Sequence, residues 1–173
     1  MSDRRRRRDL LAPPDYSARV AYRRPHAAYA KVSRVLGTVL TSVGLAPRDA
    51  VTLIVRGRVS GQPRSIPILR TRHDGADYLV SLAGESEWAR NVRAAHGEAA
   101  IRRRGTRPAV LAELPAAERA EVLAAYLRAG RARSGPAAYA KQLTYYFGLD
   151  HEPTLAELAA IAEYYPVFRI DYA

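Results

Sequence analysis

The dipeptide Asp74-Gly75 lies between two extended runs, Ser65 to Arg72 and Tyr78 to Ala83, and this pairing of turn residues with flanking β-formers is a strong hairpin signal. The same punctuation recurs on either side. Ala50 to Val55 is a short apolar run rich in β-branched residues, and Arg56 to Pro63 then carries two glycines and a proline. Ala99 to Arg103 and Pro108 to Glu113 read as a further pair around Gly105-Thr106, and Val167 to Tyr172 alternates as a last strand. Short strands joined mostly by tight turns fold as antiparallel neighbours, so the expected class is α+β: an antiparallel barrel, not a parallel doubly wound sheet.

Helical segments are inserted and appended. Between Pro25 and Gly44 the residues Val32, Val35, Leu36, Val39, Leu40 and Val43 recur at three- and four-residue spacing, which predicts an N-terminal amphipathic helix. Ser86 is placed to N-cap a helix reaching about Ala95, with Glu87 in its first turn and Trp88, Asn91, Val92 and Ala95 on one face. Pro115 opens a helix to Ala129, Gly130 to Gly135 reads as a loop, and Pro136 to Phe147 resumes helix. Thr154 with Glu157 forms a capping box for a helix to Tyr164. Residues 1–23, with Arg4 to Arg8 uninterrupted, are expected to be a flexible basic arm, and 24–173 one barrel domain with a helical C-terminal extension.

The chain has no cysteine, which removes disulfide scaffolds, thiolate zinc sites, iron–sulfur clusters and cysteine nucleophiles. His26, His73, His96 and His151 are scattered, so no metal site is expected. The N-terminus lacks the apolar core of a secretory signal, and a cytoplasmic address is expected. The net charge of +11 favours an anionic partner, and the chain stays basic with the Arg4 to Arg8 run set aside. Nearly all the cations are arginines in an alanine-rich chain, as GC-rich codons give, which lowers the weight of the raw count.

Two segments have the chemistry to make a site. In Gly57-Arg58-Val59-Ser60-Gly61-Gln62-Pro63-Arg64-Ser65 the glycines let backbone N–H groups approach an anion, Ser60 adds a hydroxyl, and Arg58 and Arg64 add forked cationic donors. Spacing alone leaves it equally readable as a polar hairpin loop with solvated arginines. It is no P-loop, because no lysine follows its last glycine and no helix starts there. In the second segment, Ser81 to Arg93, the single tryptophan of the chain, Trp88, stands one turn from Asn91 on a helix entered from a strand end. That arrangement suits a planar heterocycle, and it also suits a core anchor with a capping amide.

Together the two segments resemble the deazaflavin-dependent nitroreductase family of actinobacteria. The ordered pattern is a strand, G-R-x-[ST]-G-x-P-R with Pro67 three residues on, a D-G turn, a strand ending in Ser81, and W-x-x-N-[LV]-[RK]-A, covering roughly residues 50–114. The resemblance implies a split barrel akin to flavin-binding pyridoxamine-phosphate oxidases. It also implies coenzyme F420, a deazaflavin hydride carrier with a phosphate and a polyglutamate tail. By the same resemblance Arg58, Val59, Ser60, Gly61, Arg64, Ser65, Ile66 and Pro67 would hold the phosphate and tail side. Ser81, Leu82, Glu87, Trp88, Arg90 and Asn91 would border the ring. Ser81, Tyr139 or Tyr145, or else water, would give a proton to the acceptor.

The function expected is hydride transfer from reduced F420 to a quinone, nitroaromatic or activated alkene. The alternatives are an FMN-binding split-barrel oxidoreductase and a basic protein of membrane surfaces or nucleic acid. No nucleic-acid motif supports the last. A basic arm before an amphipathic helix does fit peripheral contact with an anionic membrane at its inner face, although the stripe fits better as a cover for the barrel. A homodimer, common among split barrels, stays open beside a monomer.

Overall fold

A computed structural model of the protein describes residues 47–173. The expected basic arm, the helix from Pro25 to Gly44 and His26 lie outside the described residues. Six strands close into an antiparallel barrel in the order β1-β2-β3-β6-β5-β4. They are β1 (Ala50–Arg56), β2 (Pro63–His73), β3 (Ala76–Val80), β4 (Glu98–Arg103), β5 (Gly105–Glu113) and β6 (Val167–Tyr172). Helix α1 (Glu87–Ala94) separates β3 from β4, while α2 (Arg119–Ser134), α3 (Pro136–Gln142) and α4 (Leu155–Ile161) precede β6.

Strand alternation sorts the apolar residues into two cores. Val51, Leu53 and Val55 of β1 point inward with Leu79, Ile101, Leu111, Phe168 and Ile170, and Ala89 and Val92 of α1 join them. Leu53 is paired on both sides, with Ile66 of β2 and Ile101 of β4, and is fully buried. Complete burial of such a side chain is worth about 1.5–3 kcal/mol. The opposite faces of β3 and β6, through Val80 and Val167, meet Leu123, Leu127, Tyr139, Phe147 and Leu158 of the C-terminal helices. The expected α+β barrel is thus the observed one, with the appended helices layered on its outer face.

The hairpin at Asp74-Gly75 forms as expected, with positive φ at both residues (46° and 76°). Four local expectations are corrected. The helix from Pro115 begins with a 3-10 turn, and α2 then runs through the expected loop to Ser134, because only Gly135 (φ 74°) breaks it. Gly130 instead stays helical and lies against Gln142 of α3, and the Ser134 hydroxyl donates to its carbonyl at 2.8 Å. The β4–β5 turn is centred on Arg104 (φ 60°), one residue before the expected glycine, and Gly105 already pairs with Arg103. Strand β3 stops at Val80: the Ser81 N–H still reaches the Pro166 carbonyl at 2.9 Å, but Pro166 has no N–H to return the bond. The helix from Pro136 passes into a π-helical turn at Leu143–Phe147 and ends at Gly148 (φ 67°). The Thr154–Glu157 capping box forms in full.

A buried cation ties the start of the C-terminal helices to the end of β5 and to the segment before β6. Arg119, at the start of α2, donates to the carbonyls of Leu114, Ala162, Glu163 and Tyr165 and to Glu113. Loss of solvent lowers its pKa, and the five acceptors hold the charged form in place.

Candidate functional site

The β1–β2 loop and α1 enclose a cleft of about 510 Å³. The loop closes on itself through Gly57 N–H to the Gln62 carbonyl (2.9 Å) and Gly61 N–H to the Gly57 carbonyl (2.8 Å). Gly61 has φ +67°, the left-handed conformation that glycine adopts without strain. A Cβ at Gly57 would stand 3.1 Å from Ser60 Oγ, 3.2 Å from the Gln62 carbonyl and 3.3 Å from Arg64 Nε, so glycine there keeps the loop tight.

Helix α1 is positioned by Ser86, whose Oγ accepts from Ala89 N–H, with Glu87 and Arg93 at the ends that favour their charges. Arg58 crosses from the loop to this helix. Its Nη1 donates to Glu87 Oε2 at 2.7 Å and to Asn91 Oδ1 at 3.1 Å, and its backbone N–H donates to the same Asn91 oxygen at 3.2 Å. Arg64 donates only to Ser60 Oγ, at 3.2 Å, among the described residues. The apolar wall is Ile66 and Trp88, whose ring tilts against Phe168 with centroids 5.4 Å apart.

The structure brings Arg58, Val59, Ser60, Arg64, Ser65, Ile66, Glu87, Trp88 and Asn91 to the cleft. Val59 is 89% exposed at its rim. The other residues singled out from the sequence stand elsewhere. Gly61 turns the loop, Pro67 pairs with Thr52, Leu82 packs on the C-terminal core, and Arg90 reaches Glu87 at 3.4 Å. The Ser81 hydroxyl is buried and donates to the Gly84 carbonyl at 2.6 Å, with Ser86 Oγ 2.7 Å away, so it shapes the strand-to-helix turn. Tyr139 is buried in the C-terminal core and donates to Glu152 at 2.9 Å, and burial pushes its phenol up to about 12. Tyr145 sits in the π-helical turn, edge-on to Tyr146 at 4.8 Å. Ser81, Tyr139 and Tyr145 are not among the residues lining the cleft.

Gly57 and Pro63, both within the segment read as an anion clamp, also line the cleft. One feature escaped the sequence reading. Beneath α1, Arg93 bridges Glu85 (2.6 and 2.9 Å) and Glu113 (2.6 and 2.7 Å), fixing the helix to β5. Hydrogen bonds from Arg93 hold the Glu85 carboxyl below the usual range. The pairing joins residues 20 apart in sequence and leaves no periodic trace.

The sequence profile of the F420H(2)-dependent quinone reductases matches residues 21–143. The chain belongs to the F420H(2)-dependent quinone reductase family. It is therefore an F420-dependent oxidoreductase, and a quinone-type small molecule fits the family as acceptor. Among curated proteins none matches the chain. Among solved structures, an F420-H2 dependent reductase is 20% identical with a TM-score of 0.47, covering 72% of this chain and 95% of that one. A candidate 5-nitroimidazole antibiotic resistance protein from Bacteroides thetaiotaomicron is 10% identical with a TM-score of 0.47, covering 76% and 77%. A heme storage protein from Vibrio cholerae is 11% identical with a TM-score of 0.39, covering 73% and 82%.

The donor set of the cleft fits the family's cofactor. F420 is a polyanion with one flat aromatic end, and the cleft sets guanidinium and hydroxyl donors of Arg58, Arg64 and Ser60 beside the Trp88 ring and Ile66. No helix among the described residues is long and apolar enough to cross a membrane, and no group of three or more His, Cys, Asp or Glu among them could hold a metal ion.

Proposed function

We propose that the cleft between the β1–β2 loop and α1 binds coenzyme F420 and that the protein reduces a quinone with the bound, reduced cofactor. The observation that carries this reading is the meeting, in one cleft, of Arg64 and Ser60 with the Trp88 ring. Reduced F420 supplies a hydride when bound. Arg64 and Ser60 bind the anionic end through charge-assisted hydrogen bonds, and Arg58 is held beside them by Asn91. Trp88, backed by Phe168, offers a rigid apolar face that excludes water on one side of the ring.

Quinone reduction takes two electrons and two protons, of which the hydride carries both electrons and one proton. The second proton is assigned to solvent, because the protons of Ser81 and Tyr139 are already engaged with Gly84 and Glu152. Of the acceptors considered, the quinone is preferred over nitroaromatics and activated alkenes on family grounds. The test is oxidation of reduced F420, followed by absorbance, with a quinone, a nitroaromatic and an enone in parallel. Turnover fastest with the quinone supports the reading, and turnover only with another acceptor class overturns it.

The same reading gives Arg4 to Arg8 a role in bringing the protein to lipid-borne quinone at an anionic membrane surface, each basic residue contributing about 1 kcal/mol near such a surface. Deleting residues 1–23 is then expected to reduce sedimentation with anionic vesicles while leaving turnover of a water-soluble quinone unchanged. Unchanged vesicle binding removes that role.

A further inference from the structure

We infer that Glu87 is a built-in competitor for the anionic groups of the ligand, and so a residue that sets how tightly the cleft holds a polyanion; the inference rests on the reading of the cleft as the F420 site. The cleft contains two arginines of unequal standing. Arg64 has a neutral partner, the Ser60 hydroxyl. Arg58 has a carboxylate, Glu87 Oε2, at 2.7 Å, and its Nη1 gives one proton to Glu87 and the other to Asn91. The remaining Arg58 donors, Nε and Nη2, hold no partner among the described residues. They are free to meet an anion, but at a guanidinium whose charge is already opposed.

Glu87 lines the same cleft, so an incoming phosphate or carboxylate meets a fixed negative charge on the donor it needs. The pair is half-exposed, with side-chain exposures of 31% and 50%, so screening keeps the penalty modest. Glu87 also meets Arg90 at 3.4 Å on the same helix, and the N-cap of α1 rests on Ser86, not on Glu87.

The experiment is calorimetric titration of the full chain and of Glu87→Gln with F420 and with inorganic pyrophosphate, at low and high salt, beside thermal unfolding of each protein. Glu87→Gln is expected to bind both anions roughly three- to ten-fold more tightly at low salt, the scale of an exposed ion pair plus a charge-assisted bond. The gain should shrink toward none near 1 M salt, where the Debye length is about 3 Å. Introduced into Arg58→Gln, the same change should give a smaller gain, since no guanidinium is released. Glu87→Asp, which keeps the charge but retracts it, should fall between wild type and Glu87→Gln. Unchanged or weaker anion binding by a folded Glu87→Gln overturns the inference, as does an equal gain in the Arg58→Gln background. If Glu87→Gln fails to fold, Glu87→Asp decides in the same way. Wild-type protein that binds no F420 overturns the reading of the cleft, whereas wild-type binding without the gain overturns this inference alone.

Discussion

Asn91 Oδ1 accepts two hydrogen bonds from one residue, Arg58, from its backbone N–H at 3.2 Å and from Nη1 at 3.1 Å. A single amide oxygen thus fixes both the path of the β1–β2 loop and the direction of its first arginine. Asn91 is buried, so Asn91→Ala leaves a part-buried N–H without its acceptor. The expected loss is about 1–3 kcal/mol of stability, measured by denaturant unfolding, with weaker F420 binding beside it. Unchanged stability would show that the loop holds its shape without the helix.

Gly97 is the second position where the backbone leaves no freedom. It has φ +84°, and a Cβ there would stand 2.8 Å from the Leu111 carbonyl, a backbone atom that cannot swing away. Gly97→Ala is expected to cost about 3 kcal/mol from positive φ and overlap combined. Gly105, with ordinary φ and nothing within 4 Å of its Cβ position, should tolerate alanine almost neutrally. Equal losses at the two sites would contradict this account.

The barrel was legible because its signals are local: Asp74-Gly75 sets a two-residue turn, and alternation in Val51, Leu53 and Val55 marks one inward face. The cleft was legible for a related reason, since the β1–β2 loop and α1 each carry their chemistry in a contiguous segment. What failed was what depends on packing. Gly130 reads as a breaker until Gln142 is seen lying against it, and Ser81 reads as an exposed donor until its burial beneath Gly84 is known. The partner of Arg58 is 29 residues away on another element, so an arginine read as a free clamp proved to be held by Glu87.

The start of α4 gives a pH dependence with a definite sign. Bonds from the Thr154 backbone N–H, then from His151 and the Thr154 hydroxyl, hold the Glu157 carboxyl down to about 2, against an ordinary 4.5. A depressed acid stabilises the folded state above its unfolded pKa, and that stabilisation is lost as pH falls from about 4.5 through about 2. His151, raised by Asp150 and Glu157, acts in the opposite sense, its contribution being complete below its ordinary 6.5 and lost as pH rises through its higher folded value. Protection factors at residues 155–158, exchange rates set against the intrinsic rate at each pH, should therefore fall below pH 4.5 in the wild type. Glu157→Gln should show lower protection throughout and lose that pH dependence, and wild-type protection unchanged across this range would contradict the assignment.

On the proposed function, the Trp88 cleft binds F420 through Arg64. Trp88 is the single tryptophan of the chain, so its fluorescence reports on this site alone. Titrated with F420, the wild type is expected to show saturable quenching that weakens with salt, and FMN, which lacks the glutamate tail, should bind less tightly. Arg64→Ala should weaken F420 binding by about 1.5–3 kcal/mol, the worth of a charge-assisted hydrogen bond, with thermal unfolding unchanged. Equal F420 affinity in the wild type and a folded Arg64→Ala would contradict the account.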